Sequence, residues 1–363
     1  MIPVGGPSLG REEFGNLVEA FVSGWISSKG PFVGRFERLV AAYCGVRHAV
    51  SASNGTAALH LALKALGIGP GDEVIVPALS FISTANVVSY CGARPVFVDS
   101  HPDYWCMDPG LVQESITRRT KAIIPVHAYG HPCDMREIMR IARDFRLRVV
   151  EDCAEAIGSR YRGRMAGSFG DVGCFSFYAN KTVTTGEGGM CVTNDRKLAD
   201  KISVLKNYGM SPGRRYWHDV IGFNYRMTNL QAAIGVAQMR KANSFVRRKR
   251  EIAKAYGERL SGVVGITLPK EMPWAKSSFW MYSVLVERKF GTGRDTLMKS
   301  LSKNGVETRP LLQPINLMPP YRTKNRFPVA ESLSKRGVSL PSGVDLSERD
   351  LEKVCRRVAN AGK

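Results

Sequence analysis

The regular alternation of short apolar runs with helical segments constrains the fold of this chain more than any other feature. Strand-like runs occupy residues 48–53, 72–77, 94–99, 121–130, 147–153, 173–178 and 189–194. Segments with apolar residues at helical spacing lie between several of these runs, at residues 54–67, 81–92 and 134–145. Alternation of this kind predicts βαβ units and therefore an α/β protein with a mostly parallel sheet.

The sequence pattern changes near residue 240, where we place a domain boundary. An alanine-rich helical pattern follows Thr228, a suitable N-cap residue, and continues to residue 260. Beyond that helix the chain predicts a shorter strand, helix and strand at residues 277–287, 294–305 and 306–312. We therefore expect a large domain at residues 1–240 and a small C-terminal domain at residues 241–363.

The composition is that of an ordinary globular protein, with 44% hydrophobic and 23% charged residues in a chain of 363. The chain has no run of about 18 uncharged apolar residues, so no membrane span is predicted. The first residues, MIPVGGPSLGREEF, lack a signal-peptide pattern, and we expect a cytoplasmic protein. Because none of the eight cysteines forms a CxxC pair, we expect reduced core thiols rather than disulfides or a zinc site.

The formal net charge of +20 favours a negatively charged ligand. Basic residues are densest in VRRKREIAKAYGER, residues 246–259, where interspersed glutamates are also typical of a solvated helix face. Nucleic acid would be one such ligand, but no zinc finger, RNP motif or KH-type loop supports it. Small molecules that carry phosphates or diphosphates are the alternative, and charge alone does not distinguish the two.

Lys181 is the first candidate for chemistry. It stands alone between two strand-like runs, in CFSFYANKTVTTGEGGMCVTN, next to a glycine-rich turn. An isolated lysine is most often a solvated surface charge. The alternative is an amine nucleophile that forms a Schiff base with a carbonyl compound.

Two other sites give Lys181 a chemical context. At Gly55 and Thr56 a strand gives way to a helix, whose free amides and dipole suit an anion such as phosphate. At Asp152 a strand ends in a carboxylate, with Glu155 three residues later. Taken separately, these are common turn and cap residues. Together with the lysine they are what a pyridoxal phosphate enzyme requires, because a buried aspartate keeps the pyridine nitrogen protonated.

Along nearly the whole chain the sequence resembles the DegT/DnrJ/EryC1/StrS family of sugar aminotransferases. Motifs that carry the resemblance include SNGTAALHLAL, GDEVIVPALSFISTAN, VHAYGHPCDM, EDCAEAIGS, FSFYANKTVTTGEGGM and GFNYRMTNLQAAIG. The resemblance implies a fold type I PLP-dependent aminotransferase, whose large domain has a mostly parallel seven-stranded sheet and whose smaller C-terminal domain is α+β. It also implies pyridoxal 5′-phosphate as cofactor, L-glutamate as amino donor and a nucleotide-linked keto sugar as substrate.

The resemblance assigns roles around the cofactor ring. It implies that Lys181 binds the cofactor covalently, that Asp152 meets the pyridine nitrogen and that Glu155 lies near the ring hydroxyl. Phe81 would stack on the face of the ring. Phe81 follows a strand end, where a flat apolar side chain is able to cover a pyridine.

The same resemblance assigns residues to the phosphates. Gly55, Thr56 and Ser176 would bind the cofactor phosphate, joined by Asn224 from the partner subunit of a homodimer with shared active sites. Candidates for the sugar or its diphosphate are Lys29, Arg215, Arg226 and Arg309. No nucleic acid and no membrane is expected among the partners.

Substrate identity is predicted from WISSKG, YGHPCDM, NKTVTTGEGGM and RRYWHDVIGFNYRMTN. These segments are most similar to the branch of the family that aminates GDP-4-keto-6-deoxy-D-mannose at C4, and a UDP- or dTDP-linked keto sugar is the alternative. Related sugar 3-dehydratases carry histidine in place of the lysine, so Lys181 favours transamination. Asn316 replaces a histidine that is frequent among relatives, and it would affect substrate choice if it contacts the sugar nucleotide. A non-catalytic binding protein is the last alternative, and the lysine, aspartate and phosphate site argue against it.

Overall fold

The structure is a computed structural model that describes residues 1–362. Within them the strands are β1 (His48–Ala52), β2 (Glu73–Pro77), β3 (Arg94–Val98), β4 (Thr120–Ile123), β5 (Arg148–Asp152), β6 (Arg160–Tyr161), β7 (Arg164–Met165), β8 (Val172–Ser176), β9 (Gly189–Thr193), β10 (Ile266–Thr267), β11 (Ala275–Lys276), β12 (Tyr282–Val286), β13 (Arg309–Pro310) and β14 (Gly337–Leu340). The helices are α1 (Arg11–Val22), α2 (Pro31–Cys44), α3 (Gly55–Ala65), α4 (Ser83–Tyr90), α5 (Pro109–Glu114), α6 (Met135–Asp144), α7 (Arg196–Leu205), α8 (Asn229–Leu260), α9 (Arg294–Lys303), α10 (Pro328–Arg336) and α11 (Glu348–Ala361).

A seven-stranded sheet with the order β1-β9-β8-β5-β4-β2-β3 forms the centre of the large part of the molecule. The pairs β8–β5, β5–β4, β4–β2 and β2–β3 are parallel, whereas β9 is antiparallel to both of its neighbours. The predicted α/β fold with a mostly parallel sheet is confirmed.

The strands are buried on both faces of this sheet, which explains why they read as continuous apolar runs. In β9, Met190 and Val192 pack with α2 and α8 on one face, while Cys191 packs with α3 and α7 on the other. Successive side chains of a strand point to opposite faces, so each strand needs apolar residues at every position. All eight cysteines are buried and free of disulfides, in agreement with the sequence prediction.

The long helix α8 connects the two parts of the molecule. It begins at a capping box in which Thr228 Oγ1 accepts a hydrogen bond from the Gln231 amide and the Thr228 amide donates to Gln231 Oε1. Its first half packs in the core of the large sheet, and its second half packs against the small sheet β10-β12-β14-β13. The boundary at residue 240 falls inside α8 and stays a prediction, because one continuous helix contributes to both cores.

One predicted strand is shorter in the structure. The run 121–130 gives a strand only to Ile123, because Pro125 lacks an amide donor and Tyr129 adopts a φ of 52°. Helices α1, α2, α5 and α7 were not anticipated from the apolar pattern. No helix within residues 1–362 has both the length and the apolar content that a bilayer crossing needs.

Candidate active site

The cofactor cavity lies where the parallel strands end, and it has a volume of about 700 Å³. β5 and β8 are parallel neighbours, so Asp152 and Ser176 arrive at the same edge of the sheet. Helix α3 begins at that edge, and two residues separate it from the end of β1. The predicted residues that line the cavity are Gly55, Thr56, Phe81, Asp152, Glu155, Ser176, Lys181 and Arg309.

Lys181 follows β8 in a tight turn, and its backbone amide donates a hydrogen bond to the carbonyl of Tyr178. Its side chain is only 13% exposed, and its Nζ lies 3.9 Å from Glu155 Oε1. On the other side, Nζ lies 3.7 Å from the centre of the Trp280 ring. Burial lowers the pKa of Lys181, with Glu155 opposing the shift. The neutral amine of Lys181, which is the nucleophilic form, is therefore more populated than in an exposed lysine.

Asp152 is held in one orientation by two donors. Thr84 Oγ1 donates to its carboxylate at 3.0 Å, and the amide of Ala154 donates at 3.1 Å. Burial raises the pKa of Asp152 despite these hydrogen bonds and the nearby lysine. Because burial disfavours the charged carboxylate, a cationic partner would stabilise it. A protonated pyridine nitrogen is such a partner.

Glu155 stands between the lysine and the floor of the cavity. Its Oε2 accepts a hydrogen bond from the Tyr129 amide at 2.7 Å, and its Oε1 faces Lys181. Burial raises the pKa of Glu155 as well. Raised carboxyl pKa values beside a lowered lysine pKa are typical of functional sites.

The start of α3 forms a cradle with Ser176. Asn54 caps the helix through a hydrogen bond from the Ala57 amide to its side chain, which leaves the first amides of the helix free. A Cβ at Gly55 would lie 2.8 Å from Ser176 Cβ, closer than two such carbons approach each other. Glycine at this position therefore lets the helix start and the serine hydroxyl reach the same small anion.

Several residues of the cavity were missed by the sequence reasoning. Trp280 covers the lysine from the C-terminal part of the chain and donates from Nε1 to the carbonyl of Asn180 at 3.0 Å. His60 Nε2 and Asn180 Oδ1 are buried in the cavity wall without a hydrogen-bond partner within residues 1–362. Both polar atoms are available to a bound ligand. A single sequence does not reveal them, because their side chains meet only after folding.

Other predicted residues do not line the cavity of the same protomer. Asn224 is exposed and accepts hydrogen bonds from Arg226 at 3.0 and 3.2 Å. Arg226 and Lys29 line a separate cavity of about 210 Å³, and Arg215 is exposed beside Tyr216. The structure thus separates these four residues from Lys181 within one chain.

Asn316 also lies outside the residues that line the cavity. It is fully buried in a short 3₁₀ turn, Ile315–Leu317, that is anchored by a hydrogen bond from the Ile315 amide to the carbonyl of Ala78. Both polar atoms of its side chain lack a hydrogen-bond partner within the described chain. The residue that departs from the usual histidine therefore lies in a buried turn next to the end of β2, behind the residues that line the cavity.

The residues present fit pyridoxal phosphate. The cavity offers a neutral-leaning lysine amine, a buried carboxylate at the sheet edge, a glycine-dependent anion cradle and unpaired polar atoms in its wall. This fold and this site define a pyridoxal phosphate-dependent aminotransferase of fold type I.

The chain belongs to the DegT/DnrJ/EryC1/StrS aminotransferase family, and the sequence model of that family matches residues 7–359. It is 47% identical to the GDP-perosamine synthase of Escherichia coli O157:H7 over 358 residues, which cover 98% of this chain and 97% of that one. It is 46% identical to the GDP-perosamine synthase of Caulobacter vibrioides over 356 residues, 97% and 96% of the two chains.

The fold is also that of solved members. The PLP form of Spr1654 from Streptococcus pneumoniae superposes with a TM-score of 0.93 at 28% identity, and the match covers 99% of this chain and 97% of that one. The predicted family, fold type and cofactor are confirmed.

Proposed function

We propose that this chain converts GDP-4-keto-6-deoxy-D-mannose to GDP-perosamine, with L-glutamate as the amino donor. The observation that carries the proposal is the position of Lys181 Nζ, 3.9 Å from Glu155 in the cavity that Asp152 closes at the sheet edge. Two relatives that carry the name GDP-perosamine synthase match 97–98% of the chain, which supports this sugar nucleotide over other keto sugars.

Lys181 is the residue that moves protons. Bound pyridoxal phosphate supplies an electron sink for the negative charge that forms when the donor loses its α-proton. The neutral amine of Lys181 is suited to accept that proton, and the return of a proton to C4 of the sugar needs the same group as an acid. Glu155 lies close enough to stabilise the ammonium form of Lys181 after it has accepted a proton and before it returns one.

The other residues of the cavity hold and orient the reactants. Asp152 would pair with the protonated ring nitrogen, and Phe81, which is 59% exposed at the cavity, would cover one face of the ring. Gly55, Thr56 and Ser176 would bind the phosphate through amides and hydroxyls. The indole of Trp280 shields the lysine from water on its open side.

Binding of the sugar nucleotide would use residues from two chains. Arg309 lines the cavity and lies 3.6 Å from Glu307, which leaves most of its guanidinium available for an anionic substrate. Asn224, Arg215, Arg226 and Lys29 lie outside the cavity of their own chain, and we propose that they serve the site of a partner subunit in a symmetric homodimer.

A sugar 3-dehydratase is the second candidate reaction. It is disfavoured because Lys181 supplies the amine that returns a proton in transamination, and histidine replaces that lysine in the dehydratases that the sequence resembles. Conversion to the amino sugar therefore remains the proposal.

Product analysis tests the proposed function. The purified protein is incubated with L-glutamate and GDP-, UDP- or dTDP-linked 4-keto-6-deoxy sugars, and products are identified by mass spectrometry and NMR. We expect 2-oxoglutarate and a 4-amino sugar, with the highest specificity constant for the GDP-linked mannose derivative. A higher specificity constant for a UDP- or dTDP-linked ketone would refute the GDP assignment, and loss of the 3-hydroxyl without amination would favour dehydration.

A further inference from the structure

A second large cleft lies away from the cofactor cavity, and none of its lining residues is shared with that cavity. Its volume is about 760 Å³, within the range of small-molecule sites. It is formed by the second half of α8 on one side and by β6 and β11 on the other. We call it the basic cleft after the side chains Arg160, Arg247, Arg250, Lys254 and Lys276.

Two of these cations are forced together by the strand register. β6 and β11 are antiparallel, and Arg160 lies directly opposite Lys276 in the ladder. Like charges at directly opposed positions destabilise a strand pair. Neither side chain forms an ion pair within the part of the chain that the structure describes. Arg160 is bound only to the carbonyl of Gly163. This repulsion would be relieved by an anion in the cleft.

The opposite wall adds three cations from one face of α8. Arg247, Arg250 and Lys254 are spaced by three and four residues, which places them on the same side of a helix. The carboxylates in the cleft do not neutralise them all. Glu271 pairs with Arg250, and Glu251 pairs with Arg248, which does not line the cleft. Lys254 lies 3.8 Å from Glu258 in an exposed pair, and Glu258 is outside the lining. Arg247 is exposed and forms no ion pair within residues 1–362.

Aromatic side chains give the cleft a second kind of wall. Tyr43 and Phe279 are half-buried and line it, and the guanidinium of Arg250 lies 5.7 Å from the Phe279 ring centre. Gly158 keeps this wall open, because a Cβ there would lie 2.9 Å from the Tyr43 hydroxyl. A site with two cationic walls and flat aromatic rings suits a ligand that combines several phosphates with a planar base.

We propose that the basic cleft binds a nucleoside diphosphate or triphosphate as a site separate from the active site. The proposal accounts for the basic segment 246–259, which the aminotransferase reaction leaves without a role. A small nucleotide fits the geometry better than a nucleic acid strand, because the cations line two walls of one cleft of about 760 Å³ rather than an extended surface. The base of a nucleotide would also stack on the aromatic rings, whereas inorganic phosphate has no ring to do so.

Isothermal titration calorimetry of the holoenzyme with ADP tests the proposal. ADP is the probe because adenine is not the base of the proposed GDP-linked substrate. We expect one saturable site per chain. The variant Arg247→Ser/Lys276→Ser removes one cation from each wall and is expected to weaken ADP binding by at least about tenfold. Its aminotransferase kinetics are expected to stay unchanged, which also shows that it folds.

The matched control is Arg288→Ser/Lys289→Ser, which removes two exposed cations that do not line the basic cleft. This control is expected to bind ADP like the wild type. Three results would overturn the proposal: no saturable ADP binding by the wild type, an equal loss in both double variants, or unchanged binding in the cleft variant. Inorganic triphosphate binding as tightly as ADP would overturn the assignment to a nucleotide.

Discussion

The surroundings of Lys181 Nζ suit the nucleophile that we propose it to be. The ammonium form is disfavoured by burial, while the Glu155 carboxylate at 3.9 Å partly restores it. The Trp280 indole closes the remaining side. Burial thus favours the neutral amine, whereas Glu155 favours the protonated form, and a proton-transfer group needs both forms.

Borohydride reduction tests the assignment of Lys181. The purified protein is expected to be yellow, and reduction should fix the cofactor to the peptide that contains Lys181, as seen by peptide mass spectrometry. The variant Lys181→Ala should lose the colour and the modified peptide. Lys197→Ala, an exposed lysine on α7, serves as the control and should keep both. Modification of any other lysine in the wild type would exclude the proposed role.

Asp152→Asn is expected to keep the fold and lose activity. The amide has the same shape but no charge for the protonated ring nitrogen. Removing one partner of a buried pair costs about 3–5 kcal/mol, so we expect kcat to fall by at least about a hundredfold. Steady-state kinetics measure the loss, and circular dichroism checks the fold. Near-normal turnover would mean that Asp152 serves only as a cap for the chain that follows it.

The same variant has a second, pH-dependent signature in the cofactor-free protein. Burial raises the pKa of Asp152 in the folded state, so the folded state binds the proton more tightly than the unfolded chain does. The stability contributed by this group is therefore present at low pH and is lost as pH rises through the folded pKa. Asp152→Asn lacks that loss, and its melting temperature should exceed that of the wild type at pH 8 but not near pH 4. A constant difference would contradict the burial argument.

At the scale of elements, the start of α3 is built around Gly55. The helix there contacts the end of β8, and a Cβ at residue 55 would lie 2.8 Å from Ser176 Cβ. Gly55→Ala should therefore displace Ser176 and weaken cofactor binding by at least about tenfold, since a charge-assisted hydrogen bond is lost. Fluorescence titration of the cofactor-free protein measures the affinity. Gly15→Ala in α1, where a Cβ has open space, is the control and should leave cofactor affinity unchanged.

Helix α8 is joined to the small sheet by Lys249. This buried lysine donates hydrogen bonds of 2.9 Å to the carbonyls of Trp280 and Ser342, which lie beside the ends of β12 and β14. The lysine thus fixes the segment that carries Trp280, and Trp280 in turn contacts Lys181. Burial lowers the pKa of Lys249 to about 8.

This pKa predicts a stability difference that grows with pH. Between about pH 8 and 10.4 the unfolded chain keeps the lysine proton while the folded protein releases it, so Lys249 makes stability rise with pH. Lys249→Met lacks this rise. We expect its deficit in unfolding free energy, measured by urea denaturation, to widen by roughly 3 kcal/mol between those limits. Lys201→Met, exposed on α7, should show no such widening. A deficit independent of pH would contradict the lowered pKa.

At the scale of the whole molecule, the proposed dimer explains why four predicted residues lie away from the cavity of their own chain. Lys181 lines that cavity, whereas Asn224 is exposed and is not one of its lining residues. If each active site takes Lys181 from one subunit and Asn224 from the other, the two residues are separable by mutation.

Mixed dimers test this arrangement. Lys181→Ala removes the amine, and Asn224→Asp places a carboxylate against the cofactor phosphate, so each variant alone should be severely impaired. In a mixed dimer one site receives both intact residues and the other receives both lesions. When differently tagged chains are coexpressed, each mixed dimer should therefore have about half the activity of a wild-type dimer. Mixed dimers that form without any recovery would exclude shared sites.

The residues that could be predicted are those whose signal is local. Strand ends place Asp152 and Ser176, and helix starts place Gly55 and Thr228, because backbone pattern and capping chemistry act within a few residues of the chain. Trp280 and His60 were not predicted, because a side chain that reaches a site from a distant segment leaves no periodic or capping signal near its own position.

From the sequence alone follow the α/β class, the alternation of the main strands with helices and, through its motifs, the prediction that a lysine, a carboxylate and an anion-binding helix start form one site. Which of these elements meet depends on the tertiary structure. It brought Trp280 over Lys181, placed Arg160 opposite Lys276 and left Asn224 outside the cavity. Local patterns follow from the geometry of one helix or strand, whereas such meetings depend on packing between segments that lie far apart in the chain.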